Sequence, residues 1–333
     1  MFDGIRVYTT CPQSKDSPPN EYYDRMTQVA VWSDTAECDG MLIYADNSII
    51  DPWVVAQEVL QTTRQLAPLV AVQPVYMHPY TVAKHIVSLG LIYRRQVCLN
   101  LIAGGFRNDL IALGDPTEHD DRYHRLIEYC TIIQQLLAGQ TVTHQGKFYN
   151  VKGLRLTPAL MAPGPQILMS GSSAAGRAAV IQLGITGVEY PEPARDIDLT
   201  SLPPDRGIRV GIIADADHDT AWKLAWARFP ADRRGQLAQN LALKMSDSSW
   251  HQLLDRQAKE ATKEQTQNGP YWLWPYQQYA TFCPYLVGDY QTVADEIARY
   301  LHLGYTSFIL DIPRSADDLA MAREVFRRAV GAP

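Results

Sequence analysis

The sequence lacks the short motifs that identify many classes of enzyme. It contains no P-loop, no GxGxxG dinucleotide fingerprint, no HExxH zinc pair and no GxSxG nucleophile elbow. Its five cysteines are odd in number, widely spaced and free of any CxxC pair. That spacing argues against a zinc ribbon and against a disulfide framework.

Strong charge imbalance and long apolar runs are also missing. A net charge of −6 over 333 residues argues against a nucleic acid or a membrane surface as partner. No apolar run is long enough for a membrane span, and the opening MFDGIRVYTT does not resemble a signal peptide. We therefore expect a cytoplasmic protein, and the 46% hydrophobic content supplies a large core.

Short apolar segments alternate with segments of helical periodicity along most of the chain, which predicts an α/β fold. Eight strands in this rhythm favour a (β/α)8 TIM barrel with insertions, formed by residues 1–333 as a single domain. A doubly wound sheet is the alternative, but the sequence has no glycine-rich first turn. The predicted strands are 5–10, 41–45, 69–75, 97–102, 167–169, 186–190, 208–214 and 307–311.

Helices are predicted from apolar periodicity and from proline near their starts. We expect a hairpin over 141–156 turned at Gln145-Gly146, little helix in the proline-rich 191–206, broken helix over 221–263, and an aromatic loop over 268–285. The predicted helices are 22–38, 52–66, 80–93, 119–138, 174–183, 291–303 and 316–330.

The stretch QILMSGSSAAG, residues 166–176, stands out within this pattern. A buried strand is followed by Gly171, Ser172 and Ser173 and then by a helix. Free N–H groups at a helix start, two hydroxyls and a glycine form a good anion site. The alternative is an ordinary serine N-cap in a βα turn, and the stretch alone leaves both interpretations open.

Five sequence blocks in this order resemble the bacterial luciferase-like family of flavin-dependent enzymes, most closely its FMN-dependent alkanesulfonate monooxygenases. The resemblance spans nearly the whole chain and implies a luciferase-like barrel that binds reduced FMN and reacts it with oxygen. A flavin reductase normally supplies the reduced FMN, and relatives commonly form homo-oligomers. The blocks are DPWVVAQ (51–57), NLIAGG (100–105), HDDRY with LLAGQTVTHQGKFYNVKG (119–153), SGSS (170–173) and LVGDYQTVADEIARYLHLGYTSFIL (286–310).

The resemblance also implies where the flavin binds. Its phosphate is expected at Ser172 and Ser173 beside Gly171 and Tyr123, and its ring system beside other residues at the carboxyl ends of strands. The alternative for Tyr123 is a tyrosine of the hydrophobic core, and the alternative for the asparagine of NLIAGG is a hydrogen-bonding residue at a strand end. The residues expected near the ring are Asn100, Ala103, Gly104 and Tyr190, with Gln73 able to bond flavin or substrate.

The sequence departs from the alkanesulfonate enzymes around the substrate. Four positions at which those enzymes carry a cysteine, a histidine, an arginine and a tyrosine are here Ile49, Gly211, Tyr279 and Ile312. We expect a larger and less polar substrate space that Gly211 helps to open. The aromatic segment 271–276 can cover that space as a lid or can belong to the core.

Three side chains are candidates for the chemistry. Cys11 follows the first strand and His78 the third, although a small buried thiol and a loop histidine often have structural roles. Arg209 is the strand-end cation expected to meet an anionic substrate group, unless it forms an ion pair with Glu189 or Asp311.

Three functions remain possible from the sequence. The first is a two-component monooxygenase that uses reduced FMN and oxygen on a small organic substrate other than a simple alkanesulfonate. The second is a dehydrogenase of the same barrel family that uses the deazaflavin F420. The third is a flavin-binding protein without turnover.

Overall fold

The strands of the barrel are short and mostly buried on both faces. The computed structural model describes residues 4–104, 107–160, 164–198, 200, 202–245 and 269–331. The strands are β1 Arg6–Thr10, β2 Gly40–Ile43, β3 Ala67–Val72, β4 Cys98–Leu101, β5 Val142–Gln145, β6 Asn150–Leu154, β7 Ile167–Ser170, β8 Thr186–Glu189, β9 Arg206–Asp215, β10 Tyr271–Trp272, β11 Tyr285–Asp289 and β12 Tyr305–Leu310.

Eight parallel strands close into a barrel, which confirms the predicted (β/α)8 fold. Their order is β9, β12, β1, β2, β3, β4, β7 and β8, and β8 pairs again with β9. The barrel interior is filled by one or two side chains from most of the strands. These interior residues are Tyr8, Leu42, Ala67, Leu69, Cys98, Leu168, Val188 and Ile309.

The helices pack around the barrel through a second, larger layer of apolar side chains. Several begin at side-chain caps, including Asp51 before α2 and, as the sequence suggests, Ser173 before α6. The helices are α1 Tyr22–Thr35, α2 Pro52–Thr62, α3 Pro79–Tyr93, α4 Arg107–Ala112, α5 His119–Leu137, α6 Ala174–Leu183, α7 His218–Arg228, α8 Arg233–Met245, α9 Trp274–Gln277, α10 Tyr290–His302 and α11 Ala316–Val330.

Two helices end earlier than predicted, for identifiable reasons. Helix α1 stops at Thr35, and Glu37 then adopts a left-handed φ of +59°. Helix α2 stops at Thr62 because the Asp34 carboxylate accepts the backbone N–H groups of residues 64–66. Those three donors are therefore not available to continue the helical ladder.

The hairpin that follows α5 is formed as expected, but its turn is longer than predicted. Strands β5 and β6 pair antiparallel, with Gln145 opposite Asn150, so the turn comprises residues 146–149. Glu128 of α5 accepts the N–H groups of Lys147, Phe148 and Tyr149 at 2.9–3.0 Å. One carboxylate thus fixes the turn against the helix.

Strand β9 is longer than predicted and leads out of the barrel. Its first half pairs with β12 and β8, and its second half pairs with β11, which pairs in turn with β10. The expectation of a loop over residues 268–285 is therefore wrong for the described residues, since they contain β10 and α9. Periodicity missed these elements because each is very short. The short helix α4 was missed for the same reason.

Other expectations are met or lie outside the described residues. The described part of 191–206 contains only a 3-10 turn at Ala194–Asp196. The broken helical region appears as α7 and α8, and its predicted continuation beyond Met245 lies outside the described residues. All five cysteines are free and buried. Within the described chain, none of the helices is both long and apolar enough to cross a membrane.

Candidate functional site

The turn between β7 and α6 has the geometry of an anion site. Gly171 donates its N–H to the Val188 carbonyl at 3.2 Å, which fixes the turn to β8. The Ser173 hydroxyl accepts the N–H of Gly176 at 3.1 Å and so caps α6. The N–H groups in the first turn of a helix have no acceptor within the helix, and the helix dipole adds positive charge at that end. Capping and anion binding are thus compatible at this turn.

Tyr123 brings a third hydroxyl to the same turn. It is 7% exposed on α5, and a Cβ added at Gly171 would lie 2.6 Å from its Oη atom. Gly171 also has a φ of +153°, which disfavours any residue with a side chain. The structure therefore assembles the predicted phosphate residues Tyr123, Gly171, Ser172 and Ser173 at one place.

A cation close to the start of α6 is already paired. Arg177, in the first turns of α6, donates to both carboxylate oxygens of Glu189 at 2.7 and 3.1 Å. A phosphate at the turn would be held by N–H groups and hydroxyls with help from the helix dipole. The donor set fits the phosphate of a flavin nucleotide. Because Glu189 is occupied by Arg177, it is not the partner of Arg209.

The residues expected beside the flavin ring lie next to this turn. Asn100, at the end of β4, is buried, and its Oδ1 accepts from the Ser170 hydroxyl at 2.9 Å. Ala103 is buried, and Gly104 has a φ of +99°. A Cβ added at Gly104 would lie 3.3 Å from Gln73 Nε2 and 3.0 Å from the Leu110 side chain. The carboxyl ends of β3, β4 and β7 thus form one continuous wall.

Arg209 faces the barrel mouth, as strand alternation predicts. Its β9 neighbours Ile208, Val210 and Ile212 belong to the outer core against the helices. The guanidinium is 5% exposed and lies 3.4 Å from Asp311 Oδ1. Of the two alternatives for Arg209, the structure therefore shows the ion pair with Asp311.

Two tyrosines also contact the guanidinium, while its buried Nε has no hydrogen-bond partner among the described residues. Nη1 donates to the Tyr190 hydroxyl at 3.1 Å, and Nη2 donates to the Tyr44 hydroxyl. Both rings also lie against the cation, with Arg209 Cζ 5.0 Å from the Tyr44 centroid and 5.8 Å from that of Tyr190. Burial raises the pKa of both hydroxyls above 10, although Arg209 lowers it, so both are neutral at physiological pH.

Asp311 is satisfied on both oxygens. Oδ2 accepts from the Thr281 hydroxyl at 2.7 Å and from the Tyr285 hydroxyl at 2.8 Å, while Oδ1 faces Arg209. The buried charges therefore compensate each other, as buried ions require. Thr281 and Tyr285 were missed by sequence reasoning. Their segment was expected to be a loop, so no strand-end argument pointed to them.

Gly211 does not open the substrate space, which corrects the sequence expectation. It lies opposite Tyr285 across the β9–β11 pair. A Cβ at Gly211 would lie 2.3–2.4 Å from three atoms of the Tyr285 ring. Glycine is needed at position 211 because the Tyr285 ring occupies the space that a Cβ would need. The hydroxyl of the same ring donates to Asp311.

The other two candidates for the chemistry make structural contacts. His78 is exposed and caps α3, with Nδ1 accepting the Tyr80 N–H at 3.2 Å, and its ring packs edge-on against Tyr149. Cys11 is 1% exposed, and burial raises the pKa of its thiol to about 12, although Tyr22 lowers it. A protonated thiol is a poor nucleophile at neutral pH.

The aromatic segment 271–276 belongs to the core. Trp272 and Tyr276 are almost fully buried, the Tyr271 hydroxyl donates to the Pro191 carbonyl at 2.7 Å, and Trp274 Nε1 donates to the Phe229 carbonyl at 3.0 Å. This segment packs on Tyr190 and forms a fixed roof beside Arg209. Tyr279, where the alkanesulfonate enzymes carry an arginine, is partly exposed and packs on Phe282.

Tyr44 is the residue that sequence reasoning should have found. It directly follows β2 in MLIYAD, and the residue after a barrel strand points toward the active-site face. The structure places it between Arg209 and a narrow cleft that also includes Ile49 and Cys11. Ile49 lies in the lining of this cleft.

Comparisons with known proteins agree with this geometry. The BtrO protein of Niallia circulans, a 4-(gamma-L-glutamylamino)butanoyl-[BtrI acyl-carrier protein] monooxygenase, is 31% identical over 327 residues, 95% of each chain. EDTA monooxygenase (EmoA) from Chelativorans sp. BNC1 has a similar structure at 14% identity, with a TM-score of 0.71 over 98% of this chain and 94% of that one.

An F420-dependent secondary alcohol dehydrogenase also shares the fold, with a TM-score of 0.64 at 16% identity over 98% of this chain and 99% of that chain. Identities this low show a common fold and leave the cofactor undecided between a flavin and F420. The family model described as luciferase-like monooxygenase matches residues 5–307. The protein therefore belongs to the luciferase-like monooxygenase family.

Proposed function

We propose that this protein is a two-component monooxygenase that takes reduced FMN from a separate flavin reductase. It would transfer one atom of oxygen to an organic substrate and release the other as water. The observation that carries the proposal is the turn at Gly171, Ser172 and Ser173, with the Tyr123 hydroxyl above it. This cradle has the hydrogen-bond donors that a flavin phosphate needs, at the carboxyl edge of the barrel.

The side chains of the site have separate roles in this proposal. Ser172, Ser173 and Tyr123 hold the phosphate, and the wall formed by Gln73, Asn100, Ala103 and Gly104 positions the ring system. Reduced FMN supplies the electrons that activate oxygen. The roof of Leu273 and Tyr276 on Tyr190 keeps water away from the reacting atoms. Neither His78 nor Cys11 is needed as an acid or base.

The substrate is proposed to differ from a simple alkanesulfonate. Ile49 and Ile312 are apolar, and the positive charge of Arg209 is balanced by Asp311. A sulfonate would therefore enter a site that offers no net positive charge. BtrO is a monooxygenase of an acyl group on a carrier protein, so an acyl thioester is a substrate class worth testing first.

An oxygen-consumption assay tests the proposal. Purified protein is supplied with NADH, FMN and a generic flavin reductase, and reduced F420 with a ketone, or oxidised F420 with an alcohol, is tested in parallel. The proposal expects binding of reduced FMN and added oxygen uptake with acyl thioesters. Activity with F420 alone would establish the dehydrogenase alternative. Tight FMN binding without any substrate-dependent oxygen uptake would favour a non-catalytic flavin-binding protein.

A further inference from the structure

Two polar side chains from neighbouring strands meet inside the barrel near its carboxyl edge. Cys98 of β4 and Leu168 of β7 point into the barrel interior. Because side chains alternate along a strand, Asn100 and Ser170 face the interior as well, each one layer nearer the carboxyl edge. The Ser170 hydroxyl donates to Asn100 Oδ1 at 2.9 Å. The contact joins the ring wall to the strand that leads into the Gly171 turn.

This contact gives the amide of Asn100 a defined orientation. Asn100 is 3% exposed, and its carbonyl oxygen is engaged by the Ser170 hydroxyl. The opposite end of the amide, Nδ2, carries two N–H donors, and none of the described residues accepts from it. Unused donors at a buried position are costly. The donors therefore indicate an acceptor on a bound molecule.

Gln73 is a second sign of a polar ligand at this wall. It directly follows β3, which pairs with β4, and it is 6% exposed. Within the described chain, its side-chain amide has no hydrogen-bond partner. A Cβ added at Gly104 would lie 3.3 Å from Gln73 Nε2, so this amide lies beside the turn after β4. Two buried amides with unused hydrogen-bonding groups thus end adjacent strands.

We propose that Ser170 is a positioning residue that holds the Asn100 amide so that Nδ2 donates to an acceptor atom of the flavin ring. This inference rests on the proposed function, because it identifies how the ring wall of the same site acts. Reduction makes the flavin ring richer in negative charge, and hydrogen bonds to a charged acceptor are about twice as strong as neutral ones. The fixed donor therefore favours reduced over oxidised FMN.

The ratio of two affinities tests the inference without any turnover. Oxidised FMN is titrated in air and reduced FMN under anaerobic conditions, each against the full-length protein. The phosphate contacts are common to both forms, so the ratio of the two dissociation constants reports on the ring. The parent should bind reduced FMN at least about tenfold more tightly, which corresponds to a rise of about 30 mV in the two-electron potential of the bound flavin. Tighter binding of oxidised FMN would overturn the inference.

Variants of Ser170 then test the positioning role. Ser170→Ala lets the amide rotate and present Oδ1 to the ring, so the ratio should fall about three- to tenfold, whereas Ser170→Thr keeps the hydroxyl and should retain the parent ratio. In an Asn100→Ala background, Ser170→Ala should change the ratio no further. Thr186→Val removes a buried hydroxyl at the amino end of the barrel and is the matched control, with an unchanged ratio. An unchanged ratio in Ser170→Ala, or an equal loss in the Asn100→Ala background, would contradict the role of Ser170.

Asn100→Asp tests the polarity of the contact and decides the matter if Ser170→Ala does not fold. The carboxylate has the shape of the amide and still accepts from Ser170, but it presents an acceptor to the ring in place of the N–H donors. The ratio should fall at least as far as in Ser170→Ala, and a parent-like ratio would refute the donor role of Nδ2. If the parent binds neither form of FMN, the proposed function fails as well. If the parent binds FMN and these variants leave the ratio unchanged, only this inference fails.

Discussion

The Gly171 position gives the sharpest test of the proposed phosphate site. An alanine there would place its Cβ 2.6 Å from Tyr123 Oη, at a backbone φ of +153°. The backbone strain costs about 1–3 kcal/mol, and Tyr123 must also move. If the displaced hydroxyl no longer reaches the phosphate, a further ~1.5–3 kcal/mol of FMN binding is lost. That is about a 10- to 100-fold weaker FMN affinity.

A double-mutant cycle separates these effects. In Tyr123→Phe the nearest ring atom to the added Cβ would be 3.5 Å away, an ordinary contact, so Gly171→Ala should cause little further loss of FMN affinity. Gly139→Ala, at a φ of +77° with open space around it, controls for backbone strain alone. FMN affinity is measured by fluorescence quenching and stability by urea denaturation. Parent-like FMN affinity in Gly171→Ala would refute the reasoning.

Three further predictions concern the substrate, the Arg209 pair and the hairpin. With a working flavin reductase, octanesulfonate should release sulfite at well below about 1 per second, because Arg209 is neutralised; turnover at or above that rate would show that the sulfonate site is intact. Arg209→Gln should lower the free energy of unfolding by about 3–5 kcal/mol, because it leaves the charge of Asp311 without a cation. Arg209→Lys keeps the charge and should lower it less. Equal stability of the two variants in urea denaturation would contradict the ion pair. Burial raises the pKa of Glu128. The hydrogen bonds from the N–H groups of Phe148, Tyr149 and Lys147 and the bond with His144 lower it by more, so the net pKa lies below its usual value. Its contribution to stability is therefore full above pH about 4.5 and is lost as pH falls through the lower folded value. Glu128→Gln should flatten this part of the stability–pH curve, and an unchanged curve would contradict the assignment.

Much of the barrel could be predicted because its signals are local. The strands are short apolar segments, and helices such as Ala174–Leu183 and Ala316–Val330 have clear caps and periodicity. The turn at Gly171, Ser172 and Ser173 was predictable for the same reason, since one strand, one glycine and two serines are contiguous. Residues at strand ends, such as Asn100, follow from the rule that barrel sites lie at the carboxyl edge.

The substrate side could not be predicted because it depends on contacts between distant segments. The absence of a side chain at Gly211 predicted a larger substrate space, but the Tyr285 ring fills that space. Tyr285 belongs to β11, a strand that apolar periodicity does not reveal. Arg209 has two plausible carboxylate partners in the sequence, and only the structure shows that Glu189 is taken by Arg177. Tyr44 was accessible to the strand-end rule and was overlooked.

The central claim is that the turn at Ser172 and Ser173 binds the phosphate of FMN. The most direct measurement compares the affinities for FMN and for riboflavin, which lacks the phosphate, in the parent and in the double variant Ser172→Ala, Ser173→Ala. The parent should prefer FMN by about a hundredfold, since each lost hydrogen bond to the charged phosphate costs roughly 1.5–3 kcal/mol. The double variant should lose most of this preference and bind riboflavin like the parent. An unchanged preference for FMN in the double variant would contradict the account.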